Sequence, residues 1–325
     1  MDWGRGSRPT DWKGEERPAS WGEFVQQVID TNTSGWVFRG QPDYEYELVT
    51  FLERSLANVP RALWGDREDS AIDFFRSRAS ATLDQVPEQD DYLGWLSLMQ
   101  HYQAPTRLLD WSESPFVAAY FAFAEVRSQD PPESVAVWAL NARAIRGHFE
   151  EPNVRREIEE YLWPDDPRPL PDQLDETGDR LVGPTNDVIR PNDVPTPLAR
   201  EAAMHALENA CLRYCRQKEI ALPFPTRPAR PDQRMLAQRA VFTYDGAMNG
   251  GITLGLATNF GLSNGDMVKK IELPLAWHEE AIETLFAMGI SADALFPGIV
   301  GIGRSTAIHV RVGRPTIRDV LRHRR

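Results

Sequence analysis

Two stretches of this chain place polar side chains in strongly apolar surroundings. The first is Trp36-Val37-Phe38-Arg39-Gly40-Gln41, an apolar strand that ends in an arginine, a glycine and a glutamine. The second runs from Leu98 to Ala124 and sets Gln100, His101, Thr106, Arg107, Asp110, Ser112 and Ser114 among large apolar residues. Each buried hydrogen-bonding group needs a partner, so this density suits a wall that grips a polar ligand. Arg39 can fork onto phosphate or carboxylate oxygens. An ion pair with a carboxylate such as Asp110 accounts for it equally well. Gly40 lets a ligand or another backbone come close.

Ser112-Glu113-Ser114 puts two hydroxyls two residues apart at the entry to an apolar helix predicted over Pro115 to Val126. The free N–H groups and partial positive charge of a helix N-terminus favour anionic or electron-rich groups. The plainer role of Ser114 is an N-cap, with Pro115 at the first helical position. Asp110 reads as an ion-pair partner of Arg107 or Arg39, and Trp111 as core. His101 reads as a satisfied hydrogen-bonding residue above the same pocket as Gln100. Gln238, among the apolar residues of MLAQRAVF, either bridges ribose hydroxyls as donor and acceptor or faces water from an edge strand. No glycine-rich phosphate loop, zinc-protease helix or nucleophile elbow is present. Cys211 and Cys215, the only cysteines, read as two buried thiols, and no metal site is expected.

The elements that must hold these groups follow from pattern. Helices are expected over Trp21 to Ile29 with Ser20 as cap, Tyr46 to Leu56, Asp69 to Ala79, Asp91 to Tyr102, Val154 to Leu162, Leu198 to Tyr214 and Trp277 to Met288. Phe51, Leu52, Phe74 and Phe75 are the expected core residues of two of them. Strands are expected over Trp36 to Arg39, Thr106 to Asp110, Ser134 to Leu140, Met235 to Tyr244 and Val268 to Leu273. Helices and strands interleave without a regular βαβ rhythm. The fold expected is α+β, a mixed or antiparallel split sheet flanked by helices. Residues 1–19 read as a flexible leader, 20–310 as one domain with a Pro/Asp-rich insertion at 163–198, and 311–325 as a basic tail.

The net charge of −12 over 325 residues argues against broad binding of nucleic acid, but leaves room for a small basic pocket. No run approaches the ~20 apolar residues of a membrane helix, and the polar N-terminus lacks a hydrophobic signal region. A cytoplasmic location and no membrane contact are expected.

At these residues the chain resembles the FRG-domain family of bacterial and phage proteins. Phe38-Arg39-Gly40-Gln41 matches the naming motif of that family. Met99-Gln100-His101-Tyr102, Pro105 to Ser112 and Ser114-Pro115 match its central motif. Ala237-Gln238 with Val241-Phe242 matches a third, and Leu285, Gly289-Ile290 and Leu295-Phe296-Pro297 match its terminal segment. A further similarity is to ADP-ribosyltransferases of the arginine–serine–glutamate type, which implies an ADP-ribosyltransferase-like fold. Arg39 matches the arginine that holds NAD, and Ser112-Glu113-Ser114 matches the Ser-x-Ser strand before a helix. Where those enzymes have a glutamate, this chain has Gln238, which can hold a ribose but supplies no charge. Glu113 or a carboxylate distant in sequence would then substitute.

The resemblance implies an NAD-consuming ADP-ribosyltransferase, a toxin or phage-defence effector that modifies a nucleic acid or a protein. Arg39, Ser112, Gln238 and Glu113 are then the catalytic candidates. Arg39, Gln41, Tyr102, Thr106, Arg107, Trp111, Ser112 and Ser114 are the candidates for holding NAD, with Trp111 or Tyr102 stacked on the nicotinamide ring. One alternative is a non-catalytic module of a defence system that binds a nucleotide or a nucleic-acid end. A weaker one is a nuclease.

Overall fold

The computed structural model describes residues 14–30, 34–126, 130–162, 197–227, 231–253, 255–256 and 267–312. Most of the expected leader (1–13), insertion (163–196) and basic tail (313–325) lies outside these residues.

Seven strands form one mixed sheet. They are β1 (Glu15–Glu16), β2 (Trp36–Gln41), β3 (Leu108–Ser112), β4 (Ser134–Asn141), β5 (Phe224–Thr226), β6 (Ala240–Tyr244) and β7 (Val268–Pro274), in the spatial order β1-β7-β4-β2-β3-β6-β5. Only β1 and β7 run parallel; every other neighbouring pair is antiparallel. The helices are α1 (Trp21–Asp30), α2 (Phe51–Ser55), α3 (Trp64–Thr82), α4 (Tyr92–His101), α5 (Pro115–Ala124), α6 (Ala142–Phe149), α7 (Pro152–Leu162), α8 (Pro197–Gln217), α9 (Gln233–Ala237), α10 (His278–Ala287), α11 (Ala292–Leu295) and α12 (Ile299–Val312). The architecture is α+β, as the interleaved pattern implies.

Strand alternation divides the core between the two faces of the sheet. On β4, Val135, Val137 and Ala139 pack with α1, α5 and α10, while Ala136, Trp138 and Leu140 join the cluster that includes α4 and α8. At Gly40 the backbone of α5 lies directly against the sheet. A Cβ there would lie 1.9 Å from the Ala118 carbonyl oxygen and 2.5 Å from the Ala122 nitrogen. Of the two uses open to this glycine, close backbone approach is the one the structure makes.

Local capping chemistry sets the helix starts. Ser20 accepts from Glu23 N at 3.1 Å, and Ser114 accepts from Val117 N at 3.3 Å ahead of Pro115. The helix expected from Tyr46 is shorter, because Thr50 caps it by accepting from Glu53 N and starts it at Phe51. Leu52 is buried, but Phe51 and Phe74 are exposed, Phe74 at 60%. Helical periodicity does not by itself fix which aromatic side chain faces the core: Phe51 and Phe74 stay exposed, while Phe75 packs against it. The expected flexible leader is not all leader: Glu15 and Glu16 pair with Lys270 and Ile271 of β7. The strand expected over Met235 to Tyr244 is a short helix followed by a strand. Asp232 accepts from Met235 N at 2.8 Å and nucleates α9, Arg239 turns the chain at φ 48°, and β6 begins at Ala240. Cys211 and Cys215 are free and buried on α8.

Candidate functional site

The sheet nearly comes apart in its middle. β2 makes six pairs with β4 and β3 makes five with β6, but β2 and β3 share only the pair Phe38↔Ser112. Beyond it the two strands diverge, and a cleft of about 1050 Å³ lies against both. That is the upper end of the range for small-molecule sites, ~300–1,000 Å³.

Arg39 bridges the divergence. Continued from Phe38↔Ser112, the antiparallel register would set Gly40 opposite Asp110. Instead the Arg39 guanidinium donates from Nη1 to the Asp110 carbonyl oxygen at 2.7 Å. Nη1 also stands 3.8 Å from the Asp110 carboxylate. Arg39 Nε is buried with no hydrogen-bond partner. Burial lowers the Arg39 pKa, against the pull of Asp110, though a guanidinium remains charged. Of the two partners expected for Asp110, Arg39 is the one present. Arg107 instead turns inward, with Nη2 2.6 Å from buried Glu68 and Nη1 donating to the Gly246 carbonyl.

The other sequence candidates divide in the same way. Arg39, Gln41, Trp111, Ser112 and Gln238 line the cleft; Tyr102, Thr106, Arg107, Glu113 and Ser114 do not. The Gln41 amide is used internally, donating to the Glu47 carbonyl at 3.1 Å and accepting from Trp138 Nε1 at 2.8 Å. Trp111 is buried and donates from Nε1 to Thr243 Oγ1 at 2.9 Å. Ser112 Oγ donates to the Gln238 carbonyl at 2.7 Å and accepts from Ser114 N at 3.0 Å. Gln238, at the end of α9 instead of on a strand, donates from Nε2 to the Leu295 carbonyl at 3.0 Å. Glu113 points outward and pairs with Arg227. Tyr102 is exposed and meets His101 edge to face at 4.9 Å. Thr106 is buried and donates to Gln100 Oε1. Its neighbour Gln100 lines the cleft and donates from Nε2 to Asp110 Oδ2 at 2.8 Å.

Three further groups line the cleft. Arg54, at the end of α2, has its pKa pushed down to about 10 by burial and by the like charge of Arg39, with Glu53 opposing. Two guanidiniums within electrostatic reach of each other suit an anionic ligand that would relieve their repulsion. His101 Nδ1 lies 2.6 Å from Asp232. Arg234 and Arg304 both stack on Phe296, at 4.8 and 4.0 Å from its ring centroid. No local motif marks Arg54, which reaches the cleft only through the turn from β2 to α2. The N-cap pattern at Asp232 was available and would have moved Gln238 off its strand. Among the described residues, no group of three or more His, Cys, Asp or Glu could hold a metal ion, and no helix is long and apolar enough to cross a membrane.

Residues 34–131 match the family model of the FRG domain. The match spans β2, α2 to α5 and β3, and so contains Arg39, Arg54, Gln100, Asp110 and Ser112. No curated protein and no solved structure matches the chain.

Proposed function

We propose that this FRG-domain chain binds NAD in the β2–β3 cleft and transfers its ADP-ribose to a nucleic acid or a protein. The observation that carries the reading is convergence: Arg39, Ser112 and Gln238, far apart in sequence, line one cleft. Arg39, with Arg54 beside it, gives the negative charge of a pyrophosphate a partly desolvated counter-charge. Trp111 offers an aromatic wall, and Gln238 offers an amide oxygen at the cleft surface. Such an activity would suit a toxin or a phage-defence effector. The test is incubation of the purified chain with NAD labelled in its adenylate phosphate, in the presence of RNA, DNA or cell lysate. Released nicotinamide and label on a macromolecule are the expected result, and Arg39→Ala should abolish both. No release and no transfer under any of these conditions would sink the reading.

A second reading is a binding module without turnover. It is favoured by the hydrogen bonds that occupy the Ser112 hydroxyl and the Gln238 amide nitrogen, and by the outward position of Glu113. Calorimetry separates the two: NAD or ADP binding without nicotinamide release selects the module.

A further inference from the structure

We propose that Asp110 is the catalytic carboxylate of this cleft, the group that faces the cationic sugar carbon and takes the proton of the attacking nucleophile. The proposal rests on the ADP-ribosyl reading above. Asp110 lies on β3 where that strand parts from β2, and its side chain is 56% exposed on the cleft wall. An ion pair this open adds only ~0–1 kcal/mol to stability, yet three side chains are committed to holding it. Arg39 Nη1 grips the Asp110 carbonyl at 2.7 Å and stands 3.8 Å from Oδ2. Gln100 Nε2 donates to Oδ2 at 2.8 Å. The Gln100 amide is held in that sense because Thr106 donates to its Oε1. Thr106 in turn accepts from Leu108 N at 3.1 Å. The relay is buried at Thr106 and open at Asp110. It fixes Oδ2 and leaves Oδ1 with no protein partner among the described residues.

An oriented carboxylate with a free oxygen, beside a guanidinium suited to phosphate, is what glycosyl transfer from a dinucleotide needs. Several other carboxylates at or near the cleft are engaged, among them Asp43, whose Oδ1 accepts from Glu45 N at 2.9 Å. Glu113 pairs outward with Arg227. On the cleft wall, Glu47 lies 3.5 Å from Lys270 and Glu125 lies 3.0 Å from Arg304. Gln238 carries no charge. In the step itself, the bond from the ribose C1′ to the nicotinamide nitrogen breaks, and its electron pair leaves with nicotinamide. A lone pair on the acceptor oxygen or nitrogen forms the new bond to C1′. The acceptor proton passes to Asp110 Oδ1 and then to solvent. Nothing is oxidised or reduced.

The experiment uses the full chain and its Asp110→Asn and Asp110→Glu variants. Nicotinamide release gives kcat, calorimetry gives the Kd for NAD, and thermal melting checks the fold. Asp110→Asn is expected to lower kcat by roughly 10²–10³-fold, while Kd changes by less than about threefold and the melting temperature holds. Asp110→Glu is expected to recover part of the rate. If the Asn variant keeps kcat within about threefold of the parent, the catalytic role is overturned and the ADP-ribosyl reading stands. An unchanged kcat with a raised Kd also overturns it, because Asp110 then only binds. No release by the parent chain removes the reading, and this proposal with it.

Discussion

Gly40→Ala tests whether backbone contact between α5 and β2 is what holds the cleft floor. The added Cβ would fall 1.9 Å from the Ala118 oxygen, about 1.5 Å short of the 3.4 Å where ordinary contact begins. Both nearest atoms are backbone, so no side chain can rotate aside. The helix must retreat, and with it the buried Val117, Ala118, Ala119, Tyr120, Ala122 and Phe123. Overpacking of this kind costs ~1–3 kcal/mol, and an unyielding backbone puts the cost at the upper end, about 3 kcal/mol. Against this stands a gain of ~0.4–1 kcal/mol, because alanine restricts the unfolded chain. The net loss is then about 2 kcal/mol, or a melting temperature lower by roughly 3 °C in a chain of 325 residues. Urea and thermal unfolding followed by circular dichroism measure it. Because the two effects differ in sign, the result discriminates. A neutral or stabilised variant would mean that α5 does not rest on β2 as described, and the rationale for glycine beside Arg39 would fall with it.

Three other expectations concern the scaffold. Glu68→Gln removes the buried charge that faces Arg107 at 2.6 Å and Arg216 at 3.2 Å; a loss of about 3–5 kcal/mol is expected in urea titration, and a loss under about 1 kcal/mol would contradict the pairing. Burial opposes ionisation of Asp91, but hydrogen bonds from His205, Gly94 N and Asn209 outweigh it and hold its pKa below the ordinary 3.8. Its contribution is therefore present above pH 3.8 and lost as pH falls through the lowered value. The melting temperature of the parent should drop more steeply on acidification than that of Asp91→Asn, and parallel curves would refute the linkage. Burial pushes the Cys211 thiol up to about 12 and raises Cys215 as well, so both should resist a thiol reagent at mildly alkaline pH until the chain unfolds; rapid labelling of the folded protein would count against that burial.

What the sequence showed best was what local chemistry decides. Ser114 and Pro115 announce the start of α5 because cap and proline act within one turn. The strand β4 is legible because Val135 to Leu140 is a short, unbroken apolar run, as a strand buried on both faces requires. Long-range pairing is legible only in part: Arg39 is one of the two partners expected for Asp110, but the partner of Arg107 is not foreseeable. Arg107 stands in the same motif as Asp110, yet its partner Glu68 lies 39 positions away, and nothing in the motif says which arginine turns inward. Asp110 pairs with Arg39 as one of its expected partners, but its exposure is not legible, because that depends on where β2 and β3 separate. The apolar run around Gln238 fits either a strand or a helix, and the cap at Asp232 decides for helix. Glu113, one residue from Ser112, points away to Arg227, a contact between segments that meet only after folding.

The single rung between β2 and β3 also bears on where this domain can be cut. The stretch that matches the FRG family ends at residue 131. All six partners of β2 on β4 lie past that point, and so do all five partners of β3 on β6. Among the described residues of the matched stretch, Phe38↔Ser112 is the only ladder pair between its strands. Expressed alone, residues 34–131 would present both strands as open edges, the arrangement that invites edge-to-edge aggregation. The stretch that matches the family and the stretch that completes the sheet are therefore different objects. The shortest chain that closes both halves of the sheet must reach β7, at residue 274.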